Sequence, residues 1–183
     1  NVILTIAIMT ALTVAVAAYA LAPQMAEGRV VFGQEPDGPA PFGYKMAWLA
    51  VRTRDPQAVV EELELIAPEP CNWQSGIGTV YDDSLGPDHV FVSPPVNGWT
   101  FVVSLALPHP VSRSFADKCT PMLAGLGRRF GEVQYFFAYP PVDLFAWARL
   151  LDGRLVRGFA IGDSGVVWNK GRPAVLSPFG EKL

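Results

Sequence analysis

The N-terminal stretch constrains the fold of this chain most, because residues 1–26 contain no charged side chain. Residues 2–22, VILTIAIMTALTVAVAAYALA, are apolar apart from three Thr and one Tyr. A helix of roughly 20 such residues, rising about 1.5 Å per residue, crosses the ~30 Å hydrocarbon core of a bilayer. A helix buried in a globular domain would normally carry a polar stripe, and this segment has none. The sequence therefore predicts a transmembrane anchor over residues 1–26.

A secretory signal peptide is the alternative interpretation of this segment. Residues 18–20 and 20–22 both have the small-x-small pattern of a cleavage site. The apolar run is longer than the ~7–15 residues of a usual signal core, which favours an uncleaved single-pass anchor. The first charges after it, Glu27 and Arg29, form no basic cluster of the kind that flanks spans on the cytoplasmic side. We therefore expect a bacterial-type inner-membrane protein with its C-terminal domain on the periplasmic, extracytoplasmic side.

The rest of the chain divides into a linker and one domain. Residues 27–43 hold four Gly and three Pro, a composition that predicts an extended linker. Residues 44–183 are enough for one domain with a modest hydrophobic core.

Apolar runs bounded by turn residues predict the strands of that domain. One strand is expected within 44–53, and two within 89–107, where Asn97-Gly98 suits a tight hairpin turn. Asp152-Gly153 is a strong hairpin signal between two further runs. Four strands are expected in this C-terminal part of the domain: 132–139, 143–151, 154–161 and 165–169.

Two helices are predicted to cover one face of this sheet. Asp55 and Pro56 suit the N-cap and first position of a helix that runs to Ile66. Its inward face is predicted to carry Val59, Val60, Leu63 and Ile66. The second helical region is 112–131, where Pro121 either begins the helix after a Thr120 cap or kinks a longer helix, and Gly131 is the end. A short helix is expected near Trp73. The fold class is therefore α+β, with a mainly antiparallel sheet and two helices on one face.

The two cysteines are a candidate disulfide. Joining Cys71 to Cys119 would close a loop of about 50 residues and stabilise the fold by about 3–4 kcal/mol on the loop-entropy argument. The alternative is two unpaired buried thiols that behave as small hydrophobic side chains. Neither lies in a CxxC motif or a Cys/His cluster, so a metal or thioredoxin-like role is not predicted.

Residues 162–165, Gly-Asp-Ser-Gly, resemble the nucleophile motif of chymotrypsin-like serine proteases, with Ser164 in the nucleophile's place. In that family the motif continues with Gly-Pro, and a histidine follows Ala-Ala upstream. Here Val-Val-Trp follows, and His89 and His109 stand in the unrelated contexts PDHVF and LPHPV. Residues 44–183 are also too few for the family's double β-barrel. A hairpin turn explains the same letters, since Gly tolerates positive φ and Asp and Ser bond local backbone groups.

Composition and motifs exclude several other function classes. The net charge is −3 and no basic run exceeds Arg128-Arg129, which argues against nucleic-acid binding. EF-hand, HExxH, P-loop and GxGxxG patterns are missing, so no cofactor, metal site or catalytic residue is predicted. The acidic pairs Glu61-Glu62 and Asp82-Asp83 are interpreted as solvated surface, because adjacent carboxylates point in different directions.

The aromatic content points instead to a docking surface. Most of the five Trp, five Tyr and eleven Phe are expected in the core, and core or turn packing is the alternative for the rest. Some are expected on a docking face, because aromatic side chains are enriched at the centres of interfaces. The candidate docking residues are Pro94, Pro95, Trp99, Pro140, Pro141 and Phe145.

These features predict a non-catalytic, membrane-anchored accessory subunit of a larger membrane complex. A photosynthetic or respiratory assembly is a natural host. Its expected partners are the lipid bilayer and the transmembrane helices and extracytoplasmic surfaces of other subunits. One alternative is a free-standing anchored binding module of the envelope or immunity type. Another is a small anchored hydrolase using Ser164 or a histidine.

Overall fold

The computed structural model describes residue 6, residues 8–14, residue 16, and residues 32–110 and 117–171. The chain divides into two compact units, Asn1–Val31 and Phe32–Leu183. The described residues of the first unit are helical. In the described ranges, no helix combines the length and apolar character needed to cross a bilayer. Most of the predicted anchor, residues 1–26, lies outside those ranges.

The second unit is built on a seven-stranded antiparallel sheet, so the predicted α+β class is confirmed. Its strand order is β2-β3-β1-β4-β5-β6-β7. The strands are β1 (Met46–Val51), β2 (Phe91–Val92), β3 (Thr100–Val103), β4 (Glu132–Tyr139), β5 (Leu144–Leu151), β6 (Arg154–Gly162) and β7 (Gly165–Gly171). Three α-helices accompany them within residues 32–110 and 117–171: α1 (Pro56–Glu62), α2 (Trp73–Tyr81) and α3 (Cys119–Phe130).

Turn chemistry places the hairpins where the sequence predicts them. Asp152 and Gly153 connect β5 to β6 with φ values of 48° and 74°. Asn97 and Gly98, between β2 and β3, have φ values of 51° and 84°. Consecutive left-handed residues match the twist of a two-residue hairpin, and Asn, Asp and Gly adopt that conformation at low cost. Both turn predictions are confirmed.

One face of the sheet, the helix face, is covered by α1 and α3. Along β1 it carries Ala47, Leu49 and Val51, which are all fully buried. The helices contribute Val59 from α1 and, from α3, Leu123 and Leu126 to the same core. Burying each Val or Leu side chain stabilises the fold by about 1.5–3 kcal/mol. The two helices that the sequence predicts on one face are therefore the ones that build the main core.

The ends of these helices differ in part from the prediction. Asp55 caps α1, its Oδ1 accepting a hydrogen bond from the Ala58 N–H at 3.1 Å. The helix ends at Glu62, because Glu64 and Ala67 have φ values of 52° and 50°. Ile66 is consequently 93% exposed, and its predicted place on the inward face is wrong.

The second predicted helix, 112–131, is shorter than expected within the described residues. α3 begins at Cys119, and Gly131 ends it with a φ of 80°. The predicted cap at Thr120 is wrong, because the N-cap position is Lys118, which makes no side-chain cap bond. Asp117 caps the N-terminus of α3 instead, because its Oδ1 accepts a hydrogen bond from the Thr120 N–H at 3.0 Å. Residues 112–116 lie outside the described ranges.

The third helix, α2, packs on the opposite face of the sheet. Its Trp73, Ile77 and Val80 form a second core with Met46 of β1 and with β2 and β3. Residues 32–43, part of the predicted linker, pack on the same side, since Phe42 lies against this core. The sheet is therefore sandwiched, but the second layer covers only the β2-β3-β1 part.

The candidate disulfide does not form in this structure. Cys71 and Cys119 are both free thiols. Cys119 is buried in the core of the helix face, whereas Cys71 lies against the α2 core on the other side of the sheet. The sheet separates the two sulfur atoms, so the alternative of two unpaired thiols is the one that the fold supports.

Candidate functional site

α2 covers only part of its side of the sheet. The uncovered part of that side, over β4, β5 and β6, is an exposed aromatic surface. Phe145 and Trp147 are each 42% exposed, and Ile161 is 40% exposed. We call this surface the aromatic face. Its members are Trp48, Phe136, Phe145, Trp147, Phe159 and Ile161, which line an open apolar groove of about 440 Å³.

Strand alternation produces this face. In β5 the side chains of Phe145, Trp147 and Arg149 are exposed, whereas Ala146, Ala148 and Leu150 between them are buried. Successive side chains of a strand point to opposite faces, so the small residues meet the helices and the large ones meet solvent. The sequence Phe-Ala-Trp-Ala thus puts its largest apolar groups outside.

Register then aligns the aromatic residues of neighbouring strands. Trp48 pairs with Phe136, Phe136 with Trp147, and Trp147 with Phe159, which makes one row across four strands. The next row runs from Ala138 through Phe145 to Ile161. Aromatic residues paired directly across strands stabilise a sheet, so the row is held by the fold itself.

Ring stacking holds one end of the row in place. The rings of Trp48 and Phe136 are stacked, with centroids 4.2 Å apart and planes 17° apart. Phe42 meets Trp48 edge-on at 5.5 Å and lies 6.3 Å from Trp73 of α2. A continuous set of rings therefore runs from under α2 to the exposed part of the face.

Charged residues stand at the two ends of the aromatic face. At one end Arg149 pairs with Arg157 across β5 and β6. The Arg149 Nε donates to Glu132 Oε1 at 2.9 Å, and the Arg157 guanidinium lies 5.6 Å from the Phe159 ring centroid. At the other end the exposed Asp143 and Asp163 lie in the β4–β5 and β6–β7 connections. The face is apolar in the middle, with Arg149, Arg157 and Glu132 at one end and the two Asp-containing connections at the other.

The structure divides the predicted docking residues between two places. Phe145 belongs to the aromatic face, and Pro140 and Pro141 lie in the short 3-10 helix that precedes β5. Pro94, Pro95 and Trp99 lie in the β2–β3 connection, where Trp99 stacks under Arg52 at 5.0 Å. That connection lies at the end of β1 where Val51 pairs with Thr100, opposite to the Met46–Ala138 end.

Sequence reasoning missed most of the aromatic face: Trp48, Phe136, Trp147, Phe159 and Ile161. The signal for β5 was present, since Phe145-Ala146-Trp147-Ala148 alternates large and small apolar residues rather than apolar and polar ones. Such alternation indicates a strand with two apolar faces, one that carries small side chains and one that carries large side chains. The row itself depends on register across four strands, which no single segment encodes.

Ser164 lies in the two-residue connection between β6 and β7, where Gly162 pairs with Gly165. Its N–H donates to Asp163 Oδ1 at 2.6 Å, so the predicted turn is confirmed. His89 Nδ1 lies 2.7 Å from the Leu85 carbonyl oxygen, and His109 stacks on Phe137 at 5.0 Å. Each imidazole thus has a partner of its own. In the described part of the chain, no cluster of His, Cys, Asp or Glu is placed to hold a metal ion.

The strongest pKa shifts lie in the core, away from the aromatic face. Burial raises the pKa of the Cys119 thiol to about 12, and the nearby Asp117 carboxylate acts in the same direction. Burial also raises the pKa of Tyr135, whose hydroxyl interacts with the Cys119 thiol. The pKa of the partly buried Cys71 is raised as well, by burial and then by Asp37. The raised pKa values keep these groups protonated at neutral pH.

No protein-family model, curated protein or solved structure matches this chain. The aromatic face is a wide, shallow surface with charged ends, which is suited to burying area against a macromolecule.

Proposed function

We propose that this chain is a non-catalytic, membrane-anchored accessory subunit of a larger membrane complex. Its α+β domain lies on the extracytoplasmic side and binds protein through the aromatic face. The anchor at residues 1–26 and the orientation come from the sequence, and the aromatic face is the structural observation that carries the protein-binding role.

The size and chemistry of the face support this role. A Phe or Trp side chain buries about 150–250 Å², so 42% exposure of Phe145 and Trp147 leaves about 60–100 Å² of each in solvent. Ile161 and Val166 extend the same surface. Contiguous exposed apolar patches of a few hundred Å² on a domain typically mark interaction sites. Large aromatic residues such as Trp147 are also the ones that contribute most to binding energy.

The test is purification of the full chain from its native membrane in a mild detergent, followed by mass spectrometry. We expect other membrane proteins to co-purify in a fixed ratio. The Trp147→Glu variant, which places a charge in the middle of the face, is expected to recover a smaller assembly. Ile66→Glu is the matched control, because Ile66 is 93% exposed and lies outside the face.

Recovery of the chain without other proteins would contradict the subunit role. It would favour the second interpretation, a free-standing anchored module that captures a soluble partner through the same face. An assembly that is unchanged by Trp147→Glu would show that the contacts with other subunits are made elsewhere.

A further inference from the structure

We infer that the aromatic face binds one α-helix of a partner protein, laid beside α2 on the same side of the sheet. The inference rests on the proposed function only in treating this face as a protein-binding surface. It names the kind of element that occupies the face, which the proposed function leaves open.

The covered part of this side of the sheet is already packed with a helix. Trp73, Ile77 and Val80 of α2 form a core with residues of β1, β2 and β3, and Trp48 borders that core. The same Trp48 begins the aromatic row that continues over β4, β5 and β6. The aromatic face therefore extends the surface on which α2 packs, and a second helix beside α2 would continue the same layer.

The width of the uncovered part suits one helix. The α2 layer reaches as far as β1, because Phe42 packs beside α2 and meets Trp48 edge-on with ring centroids 5.5 Å apart. Beyond β1 lie β4, β5, β6 and β7, and four strands at ~4.8 Å spacing measure about 14 Å from the first to the last. An α-helix with its side chains is about 10–12 Å wide and packs about 8–10 Å from a neighbouring helix. One helix therefore fits over these strands without displacing α2, and two helices do not.

The spacing of the apolar side chains matches the repeat of a helix. Phe145 and Trp147 lie two positions apart on β5, which is about 6.8 Å along the strand. Residues i and i+4 of a helix lie about 6.0 Å apart along its axis. Successive turns of a helix aligned with the strands therefore contact successive rows of the face, through positions i, i+3, i+4 and i+7. Such a helix would cover the exposed side chains of Phe145, Trp147 and Ile161.

The charges at the ends of the face set the direction of the helix. Arg149 and Arg157, at one end, already have hydrogen-bond partners within the chain. Asp143 and Asp163, at the other end, are exposed in their connections. A helix N-terminus carries a partial positive charge and attracts carboxylates. We therefore expect the partner helix to start at the Asp143–Asp163 end, and to carry an apolar stripe over the rings.

The experiment is site-specific photocrosslinking of the full chain in its native membrane. The photoreactive residue p-benzoylphenylalanine replaces Phe145, Trp147, Ile161 or, as the control, Ile66, and mass spectrometry locates the residue to which each probe attaches. We expect the three probes on the face to label one segment of one other protein, at positions spaced i, i+3, i+4 or i+7. The Phe145 probe should attach about three or four residues closer to the N-terminus of that segment than the Trp147 probe. The Ile66 probe, outside the face, should leave the segment unlabelled.

A binding measurement then uses the labelled segment as a synthetic peptide, with the full chain in nanodiscs. Trp147→Glu is expected to weaken binding by at least about 10-fold, because a charge replaces a central aromatic anchor. Ile66→Glu is the matched control and should leave binding unchanged. Alanine at the labelled positions of the peptide should weaken binding, and alanine on its opposite side should not. Circular dichroism shows whether Trp147→Glu folds, and the peptide variants keep the test decisive if it does not.

Several results would overturn the inference. Attachment at every second residue of the partner would show an extended strand on the face. Attachment to lipid, or to residues of this chain in the same or a second copy, would show a different occupant. Probes that label no protein at all would show that no helix lies there.

This inference and the proposed function fail separately. Membrane proteins that co-purify in a fixed ratio, without helical spacing of the labelled residues, would remove the helix and leave the subunit role intact. Helical labelling of a soluble protein, with no membrane protein co-purifying, would leave the helix on the face and remove the subunit role.

Discussion

Small residues on the helix face of β5 and β6 make room for the large side chains that pack there. A Cβ atom added to Gly158 would lie 2.7 Å from Cη2 of Trp168, so the indole rests directly on the β6 backbone. Ala146, Ala148 and Ala160 continue this shallow inner surface and are almost completely buried. Because the inner positions are taken by small residues, the aromatic residues of these strands are left for the outer side.

Replacing Gly158 with alanine should therefore destabilise the protein. The new methyl group overlaps an indole ring that is held in the core, and such overpacking costs about 1–3 kcal/mol. The free energy of unfolding is measured by urea unfolding of the full chain, with Trp fluorescence as the signal. Gly162→Ala is the matched control in the same strand, since its Cβ would meet Leu144 Cδ1 at an ordinary 3.6 Å. Equal losses in the two variants would show that Trp168 does not need the space.

At the scale of elements, α2 is fixed by caps from two separate segments. Asn72 caps it locally, its Oδ1 accepting from the Ser75 N–H at 2.9 Å. Asp37, more than thirty residues earlier, accepts hydrogen bonds from the N–H groups of Trp73 and Gln74, each at 2.8 Å. The first N–H groups of a helix have no partner within it, so Asp37 ties residues 32–43 to the start of α2.

Asp37→Ala should detach that segment and loosen α2. Loss of a carboxylate that accepts from two N–H groups at a helix start costs about 1–2 kcal/mol. The expected result is a lower free energy of unfolding and faster hydrogen exchange at Gln74 and the following amides. Glu35→Ala is the control, because Glu35 acts on α2 through its backbone carbonyl, which accepts from Asn72 Nδ2 at 3.0 Å. Unchanged exchange in Asp37→Ala would mean that Asn72 alone holds the helix start.

Elements with a local chemical cause were predictable from the sequence. Asp152-Gly153 and Asn97-Gly98 demand left-handed backbone, and Asp55-Pro56 caps a helix, so these boundaries fall where the residues place them. The aromatic face depends instead on β1 pairing between β3 and β4, which are far apart in the chain. The same pairing places residues 94–96 and residues 140–142, both Pro-Pro-Val, at opposite ends of the sheet. The positions of the two segments depend on the strand order of the whole sheet, so they could not be predicted from the segments alone.

At the scale of the domain, the sheet has one side that is largely buried by helices and one side that is partly exposed. The dry helix face holds Tyr135 and Cys119, both almost inaccessible to water. The outer side holds the aromatic face and the charged groups at its ends. Ionisation in the core therefore acts on global stability.

The buried Cys119 thiol should make the protein lose stability in alkali. The pKa of this thiol rises from 9.0 to about 12 on folding, chiefly because burial disfavours the thiolate. Below pH 9 both states keep the proton and the stabilisation is complete. Above pH 9 the unfolded chain releases it while the folded chain does not, so the free energy of unfolding falls as pH rises toward 12. The expected loss from this group is about 1 kcal/mol between pH 8 and 10.

Urea unfolding at a series of pH values measures this loss, and two variants assign it to a residue. Cys119→Ala should flatten the pH dependence between pH 9 and 10, whatever it does to stability at pH 7. Cys71→Ala is the matched control and should flatten it less, because that thiol is only partly buried although its pKa is also raised. The raised pKa of Tyr135 adds a further decline above pH 10, so the lower window isolates the thiol. A slope that is the same in the native chain and in Cys119→Ala would mean that water reaches this sulfur in the folded protein.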